Sequence, residues 1–182
     1  MLKQIPDWKI KTWPFSLQYK FGNKPAHEYF YKLDILEVVN WLGFLKADAL
    51  KITNAVIKNT KYISDAEKYF VDEKIPESIE DVKFIMDTGG DDCDGLAILT
   101  ASIFYTMNDE NIRLCSGYYG LGSGSKNHVW CAYHDIEQPD NPYLIETTGN
   151  KEFARLPRLR MKPLYKTHFL CNAKGEYWSF QN

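Results

Sequence analysis

Cys93 stands in the stretch Thr88-Gly89-Gly90-Asp91-Asp92-Cys93-Asp94-Gly95, a flexible acidic turn that runs straight into GLAILTASIFYTM, residues 95 to 107. That segment is apolar nearly all round, as expected of a helix buried in the middle of a domain. A cysteine at the start of such a helix has chemistry open to it. The first N–H groups of a helix have no intrahelical partner, and with the helix dipole they favour a thiolate; the same groups can stabilise an oxyanion formed beside it. Asp91, Asp92 and Asp94 oppose the thiolate, only weakly where they face solvent and are screened. An imidazolium at short range would outweigh them, so the turn calls for a histidine partner.

Of the four histidines, His128 opens the strand candidate HVWCAYH just after a glycine-rich loop, and Glu146 lies in the next candidate, YLIETTG. If the intervening DIEQPDN loop centres on position 138, Trp130 opposes Glu146 and His128 lies diagonal to it on the same face. A slip of one residue would separate them. In that register Glu146 can fix the imidazole tautomer while His128 takes the Cys93 proton. This is the nucleophile, base and orienter arrangement of covalent acyl transfer. His134 shares the face of His128 but sits at the far end of the strand; His27 and His168 have no evident partner and read as structural or exposed.

Other elements must carry these residues. Asp34 is a cap for DILEVVNWLGFLKADAL, where Ile35, Val38, Val39 and Leu42 recur at helical spacing; Leu50, Ile52, Ala55 and Val56 repeat the pattern. Two amphipathic helices follow, divided near Gly43 or Ala47. Residues 61 to 87 read as short helical pieces, with a start at Pro76 ahead of Glu77 and Glu80. After the buried helix come NIRLCSGYYG, HVWCAYH and YLIETTG as antiparallel strands, then HFLCNAKGEYWSF as a hairpin turning at Asn172–Gly175. At least five strands after the helix give an α+β class rather than alternating α/β. Residues 1 to 33, rich in aromatics and broken by Pro6, Pro14, Gly22 and Pro25, read as irregular chain or short strands over a core.

Composition narrows the function. The chain has 182 residues, 45% hydrophobic and 25% charged, which suits one domain with its own core. A net charge of -2 gives no reason to expect nucleic acid or an anionic membrane as partner. No run approaches the ~20 apolar residues that span a bilayer, and MLKQIPDWKIKTWPFS lacks the continuous apolar stretch of a secretory signal. The four cysteines form no CxxC pair, so a soluble cytoplasmic protein with reduced thiols is expected. Cys115, Cys131 and Cys171 read as small hydrophobes within strands. No metal or other cofactor is expected: Asp87, Asp91, Asp92 and Asp94 lack the spacing and final Glu of a calcium loop. Gly120–Lys126 is followed by a strand rather than the helix of a phosphate loop, and reads as a flap beside His128. Arg155, Arg158, Arg160, Lys162 and Lys166 read as a solvated face, with a grip on an anionic partner as the alternative.

Taken in order, TGGDDCDGLAIL, IRLCSGYY, NHVWCAY and YLIETTG resemble the transglutaminase-like superfamily of papain-like cysteine enzymes. The resemblance implies a papain-like, transglutaminase-core fold with helices packed against an antiparallel sheet. It assigns Cys93, His128 and Glu146 to a catalytic triad acting on amide or peptide bonds through a thioester. Water as acceptor would make the protein a cysteine peptidase or amidase, and an amine would make it a transglutaminase-like acyltransferase. The likeness covers about residues 47–150 of a single domain spanning 1–182, with 1–46 as an N-terminal elaboration and 151–182 as a C-terminal extension carrying the hairpin. Two departures are the Glu where the family usually has Asp and the longer acidic doublet before Cys93. Asp92-Cys93-Asp94-Gly95-Leu96 also resembles the Asp-Cys-Ser-Gly-Leu motif of NlpC/P60 cell-wall peptidases, and a catalytically silent module binding a peptide or protein is the reading from a different class.

Overall fold

The computed structural model describes residues 9–11, 20–21, 24–64, 75–124, 126–135, 137–138 and 141–179. Among the described residues, each of the four α-helices starts where a side chain can take the unpaired N–H groups of the first turn. Asp34 caps α1 (Ile35–Leu42), Asp48 caps α2 (Ala49–Asn59), Ser78 caps α3 (Ile79–Thr88) and Asp92 caps α4 (Cys93–Thr106). The break between the first two spans Gly43 to Asp48, around both expected positions. The third helix starts later than Pro76. Ser78 and Asp81 satisfy each other's backbone donors in a reciprocal box, and that local gain outweighs the proline signal. Of the helical pieces expected between 61 and 87, residues 65–74 lie outside the described residues, as do 1–8, 12–19 and 22–23 of the amino-terminal stretch.

The short strands are β1 (Lys9–Lys11), β2 (Lys20–Phe21), β3 (Lys24–Pro25), β4 (Lys61–Tyr62) and β5 (Gly90–Asp91). The set after α4 comprises β6 (Ile112–Tyr119), β7 (Lys126–Tyr133), β8 (Tyr143–Ile145), β9 (Tyr165–Cys171) and β10 (Tyr177–Ser179). These five and β1 form one antiparallel sheet in the order β1-β10-β9-β6-β7-β8. The expected carboxyl-side hairpin is present, with Gly175 in the left-handed conformation at φ 77°. The class is α+β, as the strand count after the helix requires.

Helix α4 packs against β6 and β7 and supplies the centre of the core. Leu96, Ile98, Leu99, Ile103 and Phe104 have no exposed surface, and each burial stabilises the fold by roughly 1.5–3 kcal/mol. The opposite face of the sheet carries a smaller cluster, in which Cys115, Trp130, Ala132, Leu144, Leu159, Leu170 and Trp178 pack together. Alternation along β7 therefore sends Val129 and Cys131 toward α4, and Trp130 and Ala132 away from it.

Gly117 is where β6 and β9 shift register, and a Cβ there would lie 2.0 Å from the Lys166 carbonyl oxygen and 2.9 Å from the Trp130 ring. The first of these neighbours is backbone and cannot swing aside. Gly117→Ala is accordingly expected to lower stability by about 1–3 kcal/mol, read as a lower urea midpoint. A midpoint equal to wild type would show that the strands can part without cost.

Candidate active site

The turn before Cys93 is pinned rather than flexible. Gly89 ends α3 at φ 72°, a conformation that β-carbon-bearing residues rarely adopt. Gly90 then enters a two-residue parallel pairing in which Lys61 opposes Gly90 and Tyr62 opposes Asp91. Lys61 and Ile63 donate backbone hydrogen bonds to Gly89 and Asp91 at 2.8 and 2.9 Å. A Cβ at Gly90 would meet Ile63 at 2.4 Å, so the glycine pair serves one cap and one close approach.

Asp91 and Asp92 are buried, so the condition under which solvent would screen them is not met. Asp91 accepts from the Asp92 N–H at 2.8 Å, and its carboxylate lies so close to Gly95 that no side chain fits at 95. Asp92 accepts from the Gly95 N–H, and its carbonyl accepts from Leu96. The two carboxylates thus build the helix start. They leave the N–H groups of Cys93 and Asp94 as the ones without an intrahelical acceptor.

His128 and Glu146 meet through the register read from the loop. Cys131 pairs with Ile145, Ala132 with Leu144 and Tyr133 with Tyr143, the alignment centred on 138. His128 Nε2 and Glu146 Oε2 lie 2.7 Å apart, and the Cys93 thiol is close enough to the same ring to raise its pKa. With Nε2 engaged by the carboxylate, Nδ1 is the ring nitrogen left for the thiol. Two contacts hold the helix to this edge of the sheet: Cys131 Sγ donates to the Ala97 carbonyl at 3.2 Å, and the Thr100 and Thr147 hydroxyls are 3.3 Å apart.

Glu146 is buried, and both of its oxygens are fully engaged. Oε1 accepts from the backbone N–H of Thr148 at 2.9 Å and from its hydroxyl at 2.7 Å; Oε2 accepts from His128 and from the Tyr165 hydroxyl at 2.9 Å. Burial alone would raise the carboxyl, but bonds to His128 and Thr148 hold it below the usual carboxylate range. Burial likewise pulls His128 down, and is outweighed by its bonds to Cys93 and Glu146, which push it up to about 9. Trp130 backs the ring at 5.7 Å between centroids and Tyr119 flanks it at 5.6 Å.

Thr148 and Tyr165 escaped the sequence reading. Thr148 left a local trace, an acceptor two residues before a Thr, as in a side-chain turn. Tyr165 left none, since only the pairing of β9 with β6 brings it to Glu146.

The other candidates lie elsewhere. Cys115, Cys131 and Cys171 are buried, which pushes each thiol well up from its ordinary value. His27 Nδ1 is 2.9 Å from the Tyr177 hydroxyl, His168 stands edge-on to Tyr118, and the His134 N–H donates to Asn111 at the far end of β7. The expected flap contains a single short turn at Gly122–Gly124, and Ser125 lies outside the described residues. Within the basic stretch, Arg158 is a staple rather than a solvated charge: it donates to Asp135, the Tyr143 hydroxyl and the Asn141 carbonyl, and lies over the Tyr143 ring. Arg155, Arg160, Lys162 and Lys166 are exposed. A cleft of about 940 Å³ between Tyr133, Tyr143, Arg155 and Lys162 touches none of Cys93, His128 and Glu146. Its size therefore says nothing about the chemistry at the helix start.

The helices on an antiparallel sheet, with a cysteine at the start of the central helix, define a papain-like, transglutaminase-like fold. LapG of Legionella pneumophila is similar in structure with a TM-score of 0.56 at 17% identity, over 84% of this chain and 83% of LapG. Its calcium-bound form gives 0.57 at 16% identity, over 85% and 86% of the two chains. No protein-family model matches the sequence, and no curated protein does. The NlpC/P60 reading is not favoured; the group bound to His128 is the acidic Glu146 rather than a further histidine. Among the described residues no helix is long and apolar enough to cross a membrane.

Proposed function

We propose that the protein is a cysteine hydrolase that cleaves amide bonds of peptide or protein substrates through Cys93, His128 and Glu146. The observation that supports this reading is the His128 ring fixed by the Glu146 carboxylate at 2.7 Å and electrostatically coupled to the Cys93 thiol at the start of α4. Cys93 Sγ attacks the carbonyl carbon, and the oxyanion that forms lies toward the Cys93 N–H. His128 gives its proton to the leaving nitrogen as the C–N bond breaks, leaving a thioester on Cys93. The imidazole then takes a proton from water, whose oxygen attacks the thioester. The C–S bond breaks, the acid leaves, and the thiolate–imidazolium pair is restored. Water, rather than an amine, is the acceptor in this reading. All four cysteines are free, which suits a reducing, cytoplasmic setting.

Trapping with a peptide-derived electrophile under native conditions, followed by mass mapping, tests the reading and begins to define the substrate. The expected result is one adduct, on Cys93, that disappears in Cys93→Ala, because the other three thiols are buried. Equal labelling of all four cysteines, or faster reaction at Cys115, would remove Cys93 from the nucleophile's place.

A further inference from the structure

Glu146 has more donors than an orienting carboxylate needs. Thr148 alone occupies Oε1 with two hydrogen bonds, while Oε2 is divided between His128 at 2.7 Å and Tyr165 at 2.9 Å. The Tyr165 ring has little room to move. It stands edge-on to Trp130 at 5.2 Å and lies 4.9 Å from Tyr119 and 6.0 Å from His128, between centroids. Its hydroxyl is therefore held on the one oxygen that His128 also uses.

We propose that Tyr165 is a positioning residue that sets the strength of the His128–Glu146 pair, its hydroxyl sharing Oε2 and so limiting how tightly the carboxylate holds the imidazolium proton. This rests on the reading of Cys93, His128 and Glu146 given above. A carboxylate oxygen divided between two donors attracts each less than it would attract one alone. The balance matters because His128 has two duties: it must be oriented by Glu146, and it must release its proton to the leaving amine. Burial, together with the Glu146 charge, raises the Tyr165 phenol, so it stays protonated and remains a donor through the neutral range. Among the described residues the titratable groups beside the pair are Cys93 from α4, Tyr119 from β6 and Tyr165 from β9, with Cys131 of β7 interacting with Glu146 electrostatically from the α4 side. Removing one hydroxyl leaves the others in place.

The test is the ring titration of His128 in the full chain, followed by NMR and assigned with His128→Gln. Tyr165→Phe keeps the ring packing and the three other bonds to Glu146. The wild-type midpoint, about 9, is expected to rise by roughly 0.5 pH unit, since Oε2 then serves His128 alone. A merely structural loosening would let Glu146 drift from the ring and lower the midpoint, the result also expected of Glu146→Gln. Should Tyr165→Phe fail to fold, site-specific replacement of Tyr165 by 3-fluorotyrosine, a stronger donor, is expected to lower the midpoint. An unchanged or lowered midpoint in the Phe variant, or a raised one with the fluorinated ring, overturns the proposal. The titration needs no substrate and no reactive thiol, so failure of selective Cys93 labelling overturns the hydrolase reading separately.

Discussion

His128→Ala is expected to lower turnover of any amide substrate by about 10²–10⁴-fold, the span that a positioned acid–base group contributes, and to slow alkylation of Cys93 near neutral pH. The leaving nitrogen loses its proton donor and the thiol loses the imidazolium that favours its ionised form. In the wild type the imidazolium persists to about 9, so activity should hold through neutral pH and fall as pH rises through that value. The variant should lack this alkaline limb. Stability follows with a definite sign. A folded midpoint of about 9 against an ordinary 6.5 gives stabilisation that is complete below 6.5 and lost as pH rises through about 9. Glu146, held below its ordinary 4.5, contributes above that value and loses its contribution as pH falls. The urea midpoints of wild type and His128→Ala should therefore differ most between about 4.5 and 6.5 and converge above 9. Wild-type turnover in the alanine variant would end the assignment of His128 as acid and base.

Glu146→Asp, a substitution usually called conservative, is expected to impair turnover nearly as much as Glu146→Gln, by about 10²-fold or more. The reason is reach. His128 is diagonal to Glu146 rather than directly opposed, a relation that leaves cross-strand positions roughly 7–8 Å apart. Glu146 spans this while its other oxygen stays on Thr148. Shortening by one methylene withdraws the carboxylate by about 1.5 Å, more than a hydrogen bond tolerates, so Asp can serve Thr148 or His128 but not both. Gln has the length and the wrong chemistry: one acceptor oxygen faces the donors of His128, Tyr165 and Thr148, and its NH₂ is turned toward one of them. Its stability should fall by about 3 kcal/mol, as when one member of a buried ion pair is removed. Rates and urea midpoints of both variants decide the matter. Near-normal rates in both would mean that another group orients the ring. Full activity in Asp with loss in Gln would keep the role of Glu146 and refute the reach argument.

Features set by local chemistry were legible in the sequence. Helix α4 has no polar stripe, so it could only be central, and Asp34 before an amphipathic run marked α1 correctly. The loop between β7 and β8 constrained their register because the apolar alternation of both strands tolerates no slip. What was illegible depends on distant pairing. A two-residue strand has no periodicity, so the β4–β5 contact that pins the Cys93 turn left no mark. Pro76 and Ser78 are both start signals, and only the reciprocal bonds with Asp81 choose between them. Arg158 looked like surface charge because its partner Asp135 belongs to a separate loop. Tyr165 was hidden for the same reason on a larger scale, since β9 reaches Glu146 across two other strands.

That placement of β9 also dictates an order of assembly. Strands β6 and β7 form a local hairpin, whereas β9 must return from beyond β8 to dock on the other side of β6, with β10 and then β1 added outside it. Contacts so distant along the chain close late, because the loop entropy must be lost before any pairing is gained. Until then β6 is an open edge bearing unpaired N–H and C=O groups, a template for the same strand of another copy. Conditions that slow the docking of β9 should therefore raise losses to aggregation before they touch the stability of the finished fold.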